Sequence, residues 1–249
     1  MGDGRAVLVT GASRGIGAAT ARALAALGDR VAVHYGASGD AARETLGSLD
    51  GDGHVLVQAD LADPDATRAM VDEAAAALGG VDVLVNNAGI FEGHDIEATT
   101  YEEWQRAWAR TLSVNLVAAA NATWCAVRHM PDGGRVVNVA SRGAFRGEPG
   151  QPAYGASKAG MIAMAQSLAK ALGHRRISVT AVAPGFVETE MAAEALTGAA
   201  GDERRSESPM GRVALPEEVA AAVVFLASPD AGFSTGTVLD VNGASYLRM

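Results

Sequence analysis

The sequence predicts an α/β protein: a doubly wound parallel sheet of about seven strands flanked by helices, in one domain spanning 1–249. Three observations lead there. Short apolar runs alternate with longer alanine-rich segments along the whole chain, the rhythm of strand–helix–strand units. The apolar runs are nearly continuous, as in strands buried on both faces. No linker, repeat or low-complexity tract divides the 249 residues, a usual length for one large α/β domain.

The strand candidates are 5–10 (RAVLVT), 30–35 (RVAVHY), 54–58, 81–86, 134–140, 177–183 and 237–241. Helices are expected over 15–28, 39–49, 64–78, 101–129, 152–173 and 216–227. Asp63 before Pro64 offers an N-cap and a first-turn proline, and Leu215-Pro216-Glu217 opens the last helix similarly. Residues 188–212 break the rhythm. They are charged and loop-like, which suits a lid over the carboxyl ends of the strands, where such sheets bind ligands.

Composition narrows the function classes. With 49% hydrophobic and 20% charged residues the chain is globular. A net charge of −9 argues against a nucleic-acid surface, which needs clustered Lys and Arg. Cys125 is the sole cysteine and the five histidines lack ligand spacing, so no disulfide and no metal site are expected. The chain opens directly into a strand-like run and carries no long apolar stretch, so neither a signal peptide nor a membrane span is expected, and the location is read as cytoplasmic.

The first strand runs into TGASRGIG and then a helix. Gly11, Gly15 and Gly17 permit a tight turn, a close approach to a pyrophosphate and close helix–strand packing, and the helix start offers free N–H groups to phosphates. Taken alone, such a turn is also an ordinary structural turn. Its place between the first strand and first helix favours a dinucleotide. The second strand ends in His34-Tyr35-Gly36-Ala37 with no acid to hold an adenosine ribose, and Asp40 falls inside the next helix. Arg14 lies in the glycine loop, where a cation could meet a 2′-phosphate, so NADP(H) is preferred over NAD(H). Arg14 could equally be a solvated loop residue.

In AYGASKAG, Tyr154 and Lys158 stand one helical turn apart on one face. A free tyrosine, with a pKa of about 10, is a poor proton donor at neutral pH, and a nearby lysine cation would stabilise its phenolate. Ser141 would donate to a substrate oxygen as negative charge builds there. Taken singly, Ser141 reads as a strand-end cap, Asn115 as a satisfied helix residue, and the Tyr–Lys pair as surface decoration. Their joint placement near strand ends points to chemistry.

These residues resemble the short-chain dehydrogenase/reductase family, over nearly the whole chain. Thr10-Gly11-x-x-x-Gly15-Ile16-Gly17 is similar to its cofactor loop, Asp60-Leu61 to its adenine contact, and NNAG (86–89) to the motif closing its fourth strand. Asn115, Ser141, Tyr154 and Lys158 match its catalytic tetrad, and Pro184-Gly185 with Thr189 and Met191 its nicotinamide-side loop. The resemblance implies a Rossmann-type fold and cofactor contacts at Gly11, Ser13, Arg14, Gly15, Ile16, Gly17, Asp60, Leu61, Asn87, Ala88, Gly89, Tyr154, Lys158, Pro184, Gly185 and Thr189. It also implies that Lys158 holds the nicotinamide ribose, that Asn115 holds a water leading from Lys158 to solvent, and that the chain forms a homotetramer. Thr189 could instead cap a short helix.

Within the family the chain most resembles the β-ketoacyl-acyl-carrier-protein reductases, which implies NADPH-dependent reduction of a 3-oxoacyl thioester. Arg128 and Arg175 match positions that in those reductases dock the acidic carrier protein, although arginine is common at helix ends for dipole reasons. Two stretches depart from them: SRGAFRGEPGQPAY (141–154), which sets Arg142, Arg146 and Glu148 beside the substrate pocket, and the ending NGASYLRM. A polar or acidic small substrate, or an NAD(P)-dependent alcohol or sugar dehydrogenase on the same scaffold, therefore stays open. A non-catalytic dinucleotide sensor is disfavoured by the intact tetrad.

Overall fold

In the computed structural model, which describes residues 4–248, seven strands form one parallel sheet. Residues 1–3 and 249 of the expected domain lie outside the described residues. The strands are β1 (Ala6–Val9), β2 (Arg30–Tyr35), β3 (Val55–Gln58), β4 (Val83–Asn86), β5 (Arg135–Val139), β6 (Ser178–Pro184) and β7 (Val238–Val241), in the order β3-β2-β1-β4-β5-β6-β7. All seven predicted strands are present: β2 has the predicted bounds, and the other six are shifted or shortened by a residue or two.

The continuous apolar pattern is explained by burial on both faces. Ala6 and Leu8 of β1 pack with Val71, Ala74 and Leu78 of α3 (Pro64–Leu78) and with Ala122 and Ala126 of α5 (Ala118–His129). Val7 and Val9, the alternate residues, pack with Leu24 of α1 (Gly15–Ala25) and with Val219 and Val223 of α9 (Pro216–Ala227). The chain leaves β1 toward β2 on one side and returns to β4 on the other. The loops after β1 and β4 therefore diverge, and a cleft opens at the carboxyl edge.

Local chemistry fixes the helix starts. Asp63 caps α3 by accepting from Asp65 N at 2.8 Å and Ala66 N at 3.2 Å. Thr100 and Glu103 form a reciprocal capping box on α4 (Tyr101–Leu112). The helix α1 differs: its N-cap position, Arg14, makes no side-chain cap and its first turn holds no acid.

The structure departs from the sequence reading in three places. The single helix expected over 101–129 is two helices, α4 and α5, joined by a π-helical turn at Ser113–Val117. The buried Asn115 sits in that turn with its amide bonded to Ile90, and such turns commonly mark functional positions. The segment 188–212 is largely helical: short 3₁₀ turns at Glu190–Ala192 and Glu194–Leu196 precede α8 (Gly198–Ser206). Leu196 and Gly201 are buried and anchor it, while Arg204 and Arg205 bond the carbonyls of Ala195 and Leu196. A short helix α6 (Gly143–Arg146), not expected from sequence, lies between β5 and α7 (Pro152–Leu172). The remaining helix, α2 (Gly39–Gly47), lies beside β2. No helix of the described residues is long and apolar enough to cross a membrane.

Candidate active site

The carboxyl edge carries two connected spaces. The larger, about 940 Å³, runs from the glycine loop across β1 and β4 to α7. Gly11, Ser13, Arg14, Gly15, Ile16, Asp60, Leu61, Asn87, Ala88, Gly89, Tyr154, Lys158 and Thr189 line it. The smaller, about 110 Å³, is lined by Ser141, Pro184 and Gly185, and also by Ile16, Tyr154 and Thr189. The remaining expected contact, Gly17, sits beneath the loop, where an added Cβ would collide with the Gly11 carbonyl and Asn87.

The long cleft fits a dinucleotide. Gly11 and Gly15 adopt φ of +63° and +56°, a backbone that side-chain-bearing residues rarely take. A Cβ on Gly11 would meet Ala88 at 2.9 Å, so the loop and the NNAG segment are in direct contact. Asn87 Nδ2 donates to the carbonyls of Thr10 and Gly11 at 2.9 and 3.0 Å, and Thr10 Oγ1 accepts from Asn87 N and Ala88 N. The uncapped start of α1 leaves N–H groups free to meet phosphates. Arg14 is ion-paired with Glu190 at 2.6 Å, both exposed, so it ties the glycine loop to the segment after β6.

Tyr154 and Lys158, on α7, are buried together. Lys158 Nζ donates to Val139 O at 2.8 Å and stands 5.7 Å from the Tyr154 ring centroid. Burial pushes the phenol up to about 12, with a hydrogen bond from Ser141 opposing the shift, and pushes the lysine down to about 8. The depressed phenol expected from sequence is thus not seen. Desolvation of the phenolate dominates, the Glu148 charge adds to it, and the Lys158 ammonium is drawn toward Val139 O. A phenol raised this far holds its proton at neutral pH and is a weaker acid than free tyrosine. Ser141 Oγ accepts from Gly143 N at 3.0 Å, and Phe91 meets Tyr154 edge-on at 4.8 Å.

Asn115 clamps the loop after β4. Its Oδ1 accepts from Ile90 N at 2.8 Å, and its Nδ2 donates to Ile90 O at 3.0 Å and Ser157 Oγ at 3.2 Å. Ser157 in turn donates to Tyr154 O at 2.7 Å. Both amide N–H groups are therefore engaged within the protein, and only one Oδ1 lone pair is left for the expected water. Thr189 precedes a 3₁₀ turn but makes no side-chain cap, so its alternative reading is not realised.

Sequence reasoning missed two histidines. The buried His34 accepts at Nδ1 from Gly11 N at 2.9 Å and faces Ala59 O with Nε2 at 3.2 Å, pinning the glycine loop to β2 and β3. Burial lowers its pKa, which keeps Nδ1 an acceptor. The buried His94 accepts at Nε2 from Ala153 N at 3.0 Å, just before Tyr154, and its Nδ1 faces Glu92 O at 2.9 Å. The only sequence signal was position: His34 ends a strand at the cleft, and His94 follows NNAG.

Arg128 lies over the Trp124 ring, 3.0 Å from its centroid. Arg175 bonds the carbonyls of Val127 and Met130 and ion-pairs with Asp132 at 3.2 Å, so most of its guanidinium joins the end of α7 to the end of α5.

Comparison with known proteins agrees with this geometry. A family model described as Enoyl-(Acyl carrier protein) reductase matches residues 11–244. The 3-oxoacyl-[acyl-carrier-protein] reductase FabG of Vibrio cholerae is 37% identical over 251 residues, covering 98% of each chain. Among solved structures, a short-chain dehydrogenase/reductase of Serratia marcescens superposes with a TM-score of 0.91 at 36% identity, covering 98% of each chain. A short-chain dehydrogenase of Burkholderia cenocepacia, solved in complex with NADP, gives 0.88 at 40% identity over the same share of both. The chain belongs to the short-chain dehydrogenase/reductase family. It is an NAD(P)-dependent oxidoreductase with a nicotinamide dinucleotide cofactor.

Proposed function

We propose that the protein reduces a ketone to a secondary alcohol with NADPH, with a 3-oxoacyl thioester as the leading substrate. One observation carries the reading: Tyr154 lies on the wall of both the dinucleotide cleft and the small pocket, where donor and acceptor must meet. When bound, the reduced nicotinamide supplies the hydride. Tyr154, protonated at neutral pH, gives its proton to the carbonyl oxygen. Ser141 donates to that oxygen as charge builds, and Lys158 stabilises the phenolate left behind. Asn115, through Ile90 and Ser157, holds the loop and α7 in register.

The remaining expected contacts hold the dinucleotide as the family resemblance assigns them. Preference for NADPH is supported by the absence of an acid at Tyr35–Ala37 and by Arg14, whose exposed pairing with Glu190 can be exchanged for a 2′-phosphate. Segment 188–212 acts as the lid. We further propose a cytoplasmic homotetramer, with Arg128 available to an acidic acyl carrier protein and Arg175 partly so.

The test is NADPH consumption with acetoacetyl thioester, run beside NADH. Turnover with NADPH and little with NADH is the expected result. Cofactor binding without turnover would discard the thioester and move the search to small polar alcohols and sugars in the oxidative direction.

A further inference from the structure

The stretches that depart from the carrier-protein reductases converge at the substrate pocket. Arg142 follows Ser141 directly; the residue is 2% exposed, and its guanidinium ion-pairs with Glu207 just beyond α8. Phe145 stacks on Tyr246 of the C-terminal stretch, centroids 6.5 Å apart, and Ser208 Oγ donates to Gly243 O at 2.6 Å. Helix α6, the lid and the tail thus brace one another around Arg142.

Among the described residues on the small pocket's wall, Arg142 carries the sole charged side chain; Ser141, Tyr154 and Thr189 supply its polar groups and the rest is apolar or backbone. A guanidinium has five N–H bonds, and among the described residues the carboxylate that Arg142 pairs with is that of Glu207, through Nη2. The same Glu207 oxygen also serves Arg146 at 3.1 Å. Arg204 bonds the carbonyls of Ala195 and Ala200 and, like Arg142, stands 5.1 Å from the Phe186 ring centroid. Among the described residues, Arg142 and Arg146 share Glu207, Arg146 also meets Glu148, and Arg204 adds a further cation near Glu148, whose carboxyl burial raises.

We propose that Arg142, backed by Arg204, is a specificity-determining residue that receives a carboxylate of the substrate, and that the preferred ketones are short oxo acids. The inference rests on the ketoreductase reading but not on its thioester form. Glu207 holds the place of the incoming carboxylate. Exchanging one carboxylate for another keeps the buried guanidinium compensated, whereas a neutral group displacing Glu207 would strand it.

The experiment compares a short oxo acid with its methyl ester as NADPH-dependent substrates. Wild type is expected to favour the acid in kcat/KM by roughly tenfold or more, as a charge-assisted pair implies. Arg142→Met is expected to abolish that ratio through KM for the acid, and Arg142→Lys to retain part of it. Arg204→Met, at a less buried site, is expected to lower it less. Equal use of acid and ester by wild type, or an unchanged ratio in Arg142→Met, overturns the inference and leaves the ketoreductase standing. Failure to reduce either compound with NADPH demonstrably bound overturns both.

Discussion

The two halves of the carboxyl edge are built by different means. The cofactor half, from Gly11 to Gly89, is built from backbone: positive-φ glycines, an uncapped helix start, and side chains such as Asn87 and His34 whose bonds go to main-chain groups. The substrate half, from Ser141 to Glu207, is built from long side chains paired across the chain, as Arg146 is with Glu207, 61 residues away. Backbone recognition is set by spacing and tolerates little variation. Side-chain recognition leaves the scaffold intact while selectivity changes.

Removing the cation beside Tyr154 should have the largest effect after loss of the phenol itself. Lys158→Met is expected to lower kcat/KM by roughly 10²-fold or more, within the range of acid–base contributions. Its proton also sets the pH profile. In the free enzyme kcat/KM for reduction should fall as pH rises past about 8, where Lys158 loses its charge. Stability should move the other way. The folded pKa lies below the unfolded 10.5, so the unfolded chain binds more protons between the two values. Burying the charged lysine therefore costs most below pH 8, and the cost fades toward pH 10.5. A rate profile and thermal melts over pH 7–10 would check both directions, and parallel trends would break the assignment.

The contrast sharpens with Gly15→Val. Forcing a side chain into that backbone costs about 1–3 kcal/mol, so NADPH affinity should fall roughly tenfold or more, read by cofactor fluorescence. Unchanged affinity would contradict the backbone account of the cofactor half. A smaller effect is expected at the joint between halves. His94→Leu removes the acceptor for Ala153 N at the start of α7 and should lower kcat by up to about tenfold with little change in cofactor affinity. His94→Gln, which keeps an acceptor, should restore part of it; failure to do so would reduce His94 to packing. The smallest effect belongs to Arg14→Ala, expected to cut the NADPH-to-NADH preference by roughly fivefold, since its ion pair is exposed. An unchanged preference would place selectivity elsewhere.

The same division explains what was legible in the sequence. Strand runs buried on both faces, the glycine spacing, and the caps at Asp63 and Pro64 are local patterns, and the structure carries them within a residue or two. Tyr154 and Lys158, four apart on one helix, are local as well. The direction of the Tyr154 shift was not legible, because it depends on burial and on where Lys158 Nζ points. The π turn at Asn115 was hidden, since the Asn115 amide there bonds Ile90, 25 residues away in the loop after β4. His34 and His94 were hidden for the same reason: a single histidine gains meaning only from the N–H groups brought to it. The arginines at 142 and 146 could be read as charged and close to the pocket, but their pairing with Glu207 required the fold.

The most direct measurement pairs NADPH binding with NADPH-dependent ketone turnover in wild type and Tyr154→Phe. The account requires the variant to bind cofactor as wild type does while turnover falls by roughly 10²- to 10⁴-fold, the loss of a proton donor and nothing else. Turnover preserved in Tyr154→Phe would contradict the assignment of the acid and, with it, the chemistry built on the carboxyl edge of this sheet.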